Sequence, residues 1–247
     1  PMNAKGLKQM CRRSYEENAA SVFDNPISSR YDENDAILYF DEVKVPWERV
    51  FALRDPTVCR GLFHTAPGHA MQNYQSMIRL MVKMRFLIGI ARMVTETNGV
   101  LNFLPVREKL GQLSSEAHMI ESLVYGMEAS ARKIGPYIAP TRNAVISALV
   151  LAQQLYPKVI TTIRELAGGG LVMLPSDVRD FANPELANLI QKTQKSSTYS
   201  PENRVKAFKL AWDAIGSEFG PRHITYEMFY AAPNFMNQTM AFDSYDW

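Results

Sequence analysis

Cysteine is scarce in this chain of 247 residues: Cys11 and Cys59 are the only two, and their spacing suits neither a metal site nor a disulfide framework. A reducing, cytoplasmic setting is the expectation. Charge of one sign is lacking too. Lys and Arg number 27 against 25 Asp and Glu, a net charge of +2 with no basic run, which argues against a nucleic-acid partner. No uninterrupted apolar run reaches about 18 residues, so no membrane span is expected. No secretory leader pattern is visible, and no Walker loop, Gly-x-Ser-x-Gly elbow or zinc-ligand pattern occurs. What is present is a globular composition, 47% hydrophobic and 21% charged, enough for a sizeable core. The chain starts at Pro1 in what reads as mid-strand, and is expected to be a piece of a longer protein.

Residues 1–57 read as strand and loop. A strand is expected within Leu7–Tyr15, then the turn-rich DNPISSRYDEND. A second strand follows from Ala36–Phe40 through Val43 and Val45 to Pro46. So short a β piece cannot make a stable sheet alone and reads as the remnant of a larger β domain. From about residue 68 the period becomes helical. One helix is expected over His69–Asn98, stopped by Asn98-Gly99. In the next, Val106, Leu110, Leu113, Ala117, Ile120, Val124, Met127, Ala131 and Ile134 form a heptad seam ending at Gly135-Pro136. A third runs from Val145 to Leu166, with Pro157 expected to kink it and Gly168–Gly170 to end it. Asn183-Pro184 and Ser200-Pro201 each open a shorter helix. The reading is mainly α: a bundle over 58–229 and an aromatic, aperiodic arm over 230–247.

The stretch Trp212–Glu227, WDAIGSEFGPRHITYE, concentrates chemistry. It is expected to break at Gly216 and again at Gly220-Pro221, with Ser217, Glu218, Arg222, His223 and Glu227 around the breaks. Arginine offers a planar donor fork for phosphate or carboxylate, and histidine titrates near neutrality. On residue type alone this is either a ligand-facing turn or an ordinary helix–turn–helix. Gln75 and Arg79, four apart on one helix face, are either a solvated pair or a donor pair for pyrophosphate. Gly168–Gly170 follows a helix rather than a strand, so it is a helix stop or a close-approach segment, not a dinucleotide fingerprint. His64 and His69 flank Pro67-Gly68 without further ligands suited to a metal.

Several segments together resemble the 4-hydroxyphenylacetate 3-hydroxylase family: PMNAKGLKQMCRRSY, PISSRYDENDAILYFDEVKVPWERVF, QSMIRLMVKMRFLIGIA, GGGLVMLPSDVRDFANPEL and WDAIGSEFGPRHITYEMFYA, in order along essentially the whole chain. These are oxygenase components of two-component, reduced-flavin-dependent aromatic hydroxylases. The resemblance implies an acyl-CoA-dehydrogenase-like helical bundle, preceded by the end of a central β domain and assembled as a homotetramer. It implies reduced FAD as cofactor, O2 as co-substrate, a flavin reductase as partner and a phenol as substrate. The family's Gln-x-x-x-Arg falls on Gln75 and Arg79. Its flavin-contacting turn falls on Phe219, Gly220, Pro221, Arg222 and His223, with His223 as the catalytic candidate. Gly168, Gly169 and Gly170 match the segment that approaches a neighbouring subunit's flavin. Pro221 stands where relatives often carry Gly or Ala, and removes a backbone donor. Two alternatives accompany this reading. A CoA-ester dehydratase or isomerase of the same superfamily would want a thiolate where Ser76 stands, seven after His69, and cysteines in the helices. A non-catalytic helical oligomerisation module is the other.

Overall fold

The structure is a computed structural model and describes residues 1–247. Strand β1 (Leu7–Cys11) pairs antiparallel with β2 (Ala36–Phe40), with Leu7 opposite Phe40 and Cys11 opposite Ala36. The short helix α1 (Ser28–Tyr31) lies between them in sequence. β2 stops at Phe40, opposite Leu7, and β1 stops at Cys11, where Arg12 turns the chain. Its guanidinium pairs with Asp32 at 2.6 Å and Asp35 at 3.0 Å, and the backbone of Tyr15 donates to the same Asp32 carboxylate. Both strands are largely exposed, and neither has a second partner.

Helix formation begins earlier than the periodicity indicates. Helix α2 (Pro56–His64) is capped by the Asp55 carboxylate, which accepts from Thr57 and Val58, and carries Pro56 in its first turn. Cys59 therefore lies on a helix, exposed. Helix α3 (Gly68–Thr97) matches its expected span. Helix α4 (Leu104–Ala129) buries Leu113, Ile120, Val124 and Met127 of the heptad seam, but Ala131 and Ile134 are not in it. The Ser130 hydroxyl donates to the Gly126 carbonyl, and the chain then forms a hairpin of β3 (Arg132–Ile134) and β4 (Tyr137–Ala139). Gly135, at φ +57°, supplies the left-handed turn that outweighs the last heptad step.

Helix α5 (Arg142–Ala167) runs through Pro157 without a break. By length and composition it is apolar enough to cross a membrane, although charges interrupt it; half of its most apolar stretch is buried inside the bundle. It packs on α3, α4, α8 and α9, as a central core helix does. α5 ends at Ala167, and Gly168–Leu171 follows it as a 3-10 turn. Helices α6 (Pro184–Thr193) and α7 (Pro201–Ile215) are capped by Asn183 and Ser200 as their sequences require. Helix α8 (Phe219–Phe229) removes the second expected break. Pro221 falls on its third residue, where the absent N–H would have had no intrahelical acceptor. The expected aperiodic arm is helical as well: α9 (Asn234–Ser244) packs on α5, with Asn237 fully buried against Gln153.

The core is one cluster contributed by α3, α4, α5 and α7, with Met77, Leu113, Leu149 and Phe208 among its fully buried side chains. Each such side chain contributes roughly 1.5–3 kcal/mol through removal from water. The N-terminal piece is fastened to this bundle through buried polar contacts. Asp213 of α7 accepts from the backbone N–H groups of Ile27 and Ser28, both at 2.8 Å, and from the Ser28 hydroxyl at 2.9 Å. Lys209, one turn earlier, pairs with Asp24 at 2.9 Å, both almost fully buried.

Candidate functional site

The docking of residues 24–33 onto α7 encloses a cavity of about 610 Å³ between that segment and the bundle, lined in part by Ile27, Arg79, Lys83, Tyr156, Phe219 and His223. Its polar wall is built by two helices facing each other. On α3, Arg79 and Lys83 are four apart and share a face; on α8, His223 and Glu227 are likewise four apart. Glu227, with a side chain only 2% exposed, receives Arg79 at 3.2 Å on one carboxylate oxygen and Lys83 at 2.7 Å on the other. A buried carboxylate is tolerated only when paired in this way. The Arg79 guanidinium also stands 4.9 Å from the Tyr226 ring centroid and 4.8 Å from that of Tyr230, two rings that stack on each other. Burial works against its charge, yet Glu227 holds the Arg79 pKa above the ordinary value.

His223 is held by two contacts and leaves one ring nitrogen unpaired. Its ring meets Phe219 edge-on at 4.4 Å, Nδ1 lies 3.2 Å from Lys83 Nζ, and Nε2 is buried without a partner. Burial, and then the positive charges of Lys83, Arg222 and Arg79, push its pKa down to about 4 against the weak opposing pull of Asp32. The imidazole is therefore neutral at pH 7. An ammonium only donates, so Nδ1 is the acceptor and the ring proton resides on Nε2. The result is a neutral ring presenting an unsatisfied N–H. Burial also raises Tyr156, and it pushes Tyr230 up to about 12, so both phenols stay protonated.

Arg222 points toward the N-terminal piece, where its Nε donates to Asp35 at 3.0 Å and Nη2 contacts the same oxygen. Arg222 first, then Arg12, keeps the Asp35 carboxyl below its ordinary pKa. Nη1 of Arg222 and Nε of Arg79 remain buried and unpartnered. Gly220 is required by packing: a Cβ there would stand 2.7 Å from the Ala214 carbonyl oxygen.

The sequence-predicted residues thus divide. Arg79, Phe219 and His223 line one cavity, with Gly220, Pro221 and Arg222 in the same first turn of α8. Gln75 is exposed, makes no side-chain hydrogen bond and does not line the cavity. Gly168–Gly170 lie beyond the end of α5, roughly 18 Å along the axis from Tyr156. Within the chain Gly170 serves packing, since a Cβ there would stand 2.5 Å from the Phe208 ring. Lys83 belongs to the site without any motif of its own to announce it; its place four after Arg79 is the one signal. Glu227 reads in the sequence only as one polar group in a block, because its partners come from a helix some 140 residues away.

Fold and site together define a helical bundle of the acyl-CoA-dehydrogenase type with a buried, donor-rich cleft between its third and eighth helices. A structure of an archaeal 4-hydroxybutyryl-CoA dehydratase from N. maritimus shares this fold at TM-score 0.86 and 18% identity, over 97% of this chain and 48% of that one. The chain belongs to the 4-hydroxyphenylacetate 3-hydroxylase family: the family's C-terminal domain matches residues 59–247 and its N-terminal domain residues 1–52. Among relatives, the 4-hydroxyphenylacetate 3-monooxygenase oxygenase component of Pseudomonas aeruginosa is 39% identical over 236 residues, covering 94% of this chain and 45% of that protein. The 4-nitrophenol 2-monooxygenase oxygenase component of a Rhodococcus species is 36% identical, covering 93% of this chain and 45% of that protein. A crystal structure of a 4-hydroxyphenylacetate 3-monooxygenase oxygenase component with FAD and 4-hydroxyphenylacetate superposes at TM-score 0.94 with 28% identity, over all of this chain and 51% of that one. The chain spans about half the length of the curated relatives it matches.

Proposed function

We propose that this chain is the C-terminal part of the oxygenase component of a two-component monooxygenase that hydroxylates a phenol with reduced FAD and O2. Residues 1–57 are the end of its central β domain. The observation that carries the reading is the set of unsatisfied buried donors, Nε2 of His223, Nη1 of Arg222 and Nε of Arg79. A flavin, with acceptor atoms on its ring and oxygens on its phosphates, fits such a donor set. Bound reduced flavin supplies the activation of O2 for transfer of one oxygen atom to the phenol ring. This chain supplies positioning. Neutral His223 donates from Nε2 to the flavin edge without adding charge, Arg222 and Arg79 orient acceptor atoms, and the packed helices keep water out.

Large exposed apolar residues of the N-terminal piece, among them Phe40, Trp47 and Phe51, support further covering surface, by upstream chain and by neighbouring copies in a tetramer. A separate reductase and a cytoplasmic location complete the proposal. The CoA-ester dehydratase reading is disfavoured by the residues present: Ser76 offers a hydroxyl that already donates to the Gln72 carbonyl, and Cys11 and Cys59 are both exposed. The test is turnover. A whole protein containing these residues, supplied with a reductase, NADH, FAD and a panel of phenols, is expected to form a catechol-type product only when all are present. Product formation that ignores FAD would overturn the assignment.

A further inference from the structure

A second cavity, of about 640 Å³, opens at the other side of the α3 start, and nothing in the flavin reading uses it. Two long helices begin at it. The first-turn residues His69 and Ala70 of α3, and Arg142 and Asn143 of α5, line it together with the cap residues Pro67 and Thr141. These helices are 30 and 26 residues long, and neither has a side-chain cap. Their first N–H groups therefore lack intrahelical acceptors, and each terminus carries about half a positive charge. Three full cations, Arg132, Lys133 and Arg142, also line the cavity; no ion pair occupies any of them, and no acidic residue is in the lining.

An independent feature points the same way. His69 is only 8% exposed, lines the cavity, and makes no side-chain hydrogen bond within the chain, although its ring stands 5.1 Å from that of His64. Burial first, and then His64 and Arg142, lower its pKa, so the ring adds no positive charge of its own to the cavity. A largely buried imidazole that makes no hydrogen bond within the chain, lining one cavity with two uncapped helix starts and three unpaired cations, is a cradle for negative charge.

We propose that this cavity binds the oxyanion group, phosphate or carboxylate, of a small molecule, held between the N-termini of α3 and α5 by Arg142 and His69. The proposal is independent of the flavin assignment. Calorimetric titrations of the protein with inorganic pyrophosphate and, separately, with benzoate distinguish the two sources of the group. Saturable binding of either probe is expected, weakened at least tenfold in Arg142→Ala and unaltered in Lys192→Ala, a change at an exposed residue outside both cavities. Arg142 is exposed, so this variant folds; a circular-dichroism spectrum checks it. The His69 ring resonances should shift on adding the same probe. No saturable heat with either probe, equal affinity in Arg142→Ala, or binding that leaves the His69 signals unmoved would overturn the proposal.

Discussion

Lys83 Nζ lies 3.2 Å from Nδ1 of His223 and 2.7 Å from Glu227, so one ammonium joins the carboxylate that anchors α3 to α8 and the imidazole that faces the cavity. This fixes which nitrogen of His223 carries the proton and keeps the ring neutral. In Lys83→Met the His223 titration midpoint is expected to rise from about 4 but to stay below 6.5, because burial, the largest cause of the depression, remains. Nitrogen-15 spectra of the imidazole would show a mixture of tautomers where the parent shows one. An unmoved midpoint would remove Lys83 from this role.

The same network governs stability. Glu227→Gln leaves Arg79 and Lys83 facing each other across a neutral amide, each about a quarter exposed. Breaking a buried pair by removing one partner costs about 3–5 kcal/mol, and the partial exposure of the two cations places the expected loss at the low end, roughly 3 kcal/mol. Urea denaturation measures it; a loss under about 1 kcal/mol would mean that the cations already reach solvent.

The depressed pKa of His223 also has a pH signature. Its folded pKa, about 4, is below the ordinary 6.5, so between these values the unfolded chain binds the extra proton. Stability from this group is complete above about pH 6.5 and is lost as pH falls toward 4, with a slope of at most about 1.4 kcal/mol per pH unit. His223→Gln should flatten the unfolding free energy in that window, whereas a slope unchanged by the substitution would assign it to carboxylates instead.

Much of the fold was legible because local signals agreed with the tertiary structure. The apolar period of α3, the caps Asn183 and Ser200, and the seam residues Leu113 to Met127 all lie where the pattern puts them. It failed where two local signals compete. Gly135-Pro136 made a hairpin out of the last heptad residues, and Pro221 fitted into a first helical turn that its glycine neighbour had marked as a break. The site was half legible. His223 and Arg79 have the residue types of a ligand wall, but Glu227, Lys83 and Asp213 act through partners distant in sequence, and no spacing rule reports those.

Asp213 illustrates the point. Its carboxylate accepts from Ile27, Ser28 and the Ser217 hydroxyl, so it ties one cavity wall to the turn before α8. Asp213→Ala leaves buried donors unpaired, at about 1–3 kcal/mol for such a group. Hydrogen exchange should lose protection at Ile27 and Ser28 before the bundle core does, and uniform loss would show that the segment is held by other contacts.

The central claim, that the first turn of α8 faces flavin, is tested most directly by anaerobic titration of reduced FAD into a whole protein containing these residues. Arg222→Ala is compared there with Asp35→Asn. If Arg222 holds cofactor, its removal weakens binding at least tenfold, while Asp35→Asn, which frees the guanidinium, leaves binding equal or tighter. Unchanged affinity in Arg222→Ala, or equal weakening in both variants, would reduce Arg222 to a strut between the N-terminal piece and the bundle and contradict the account.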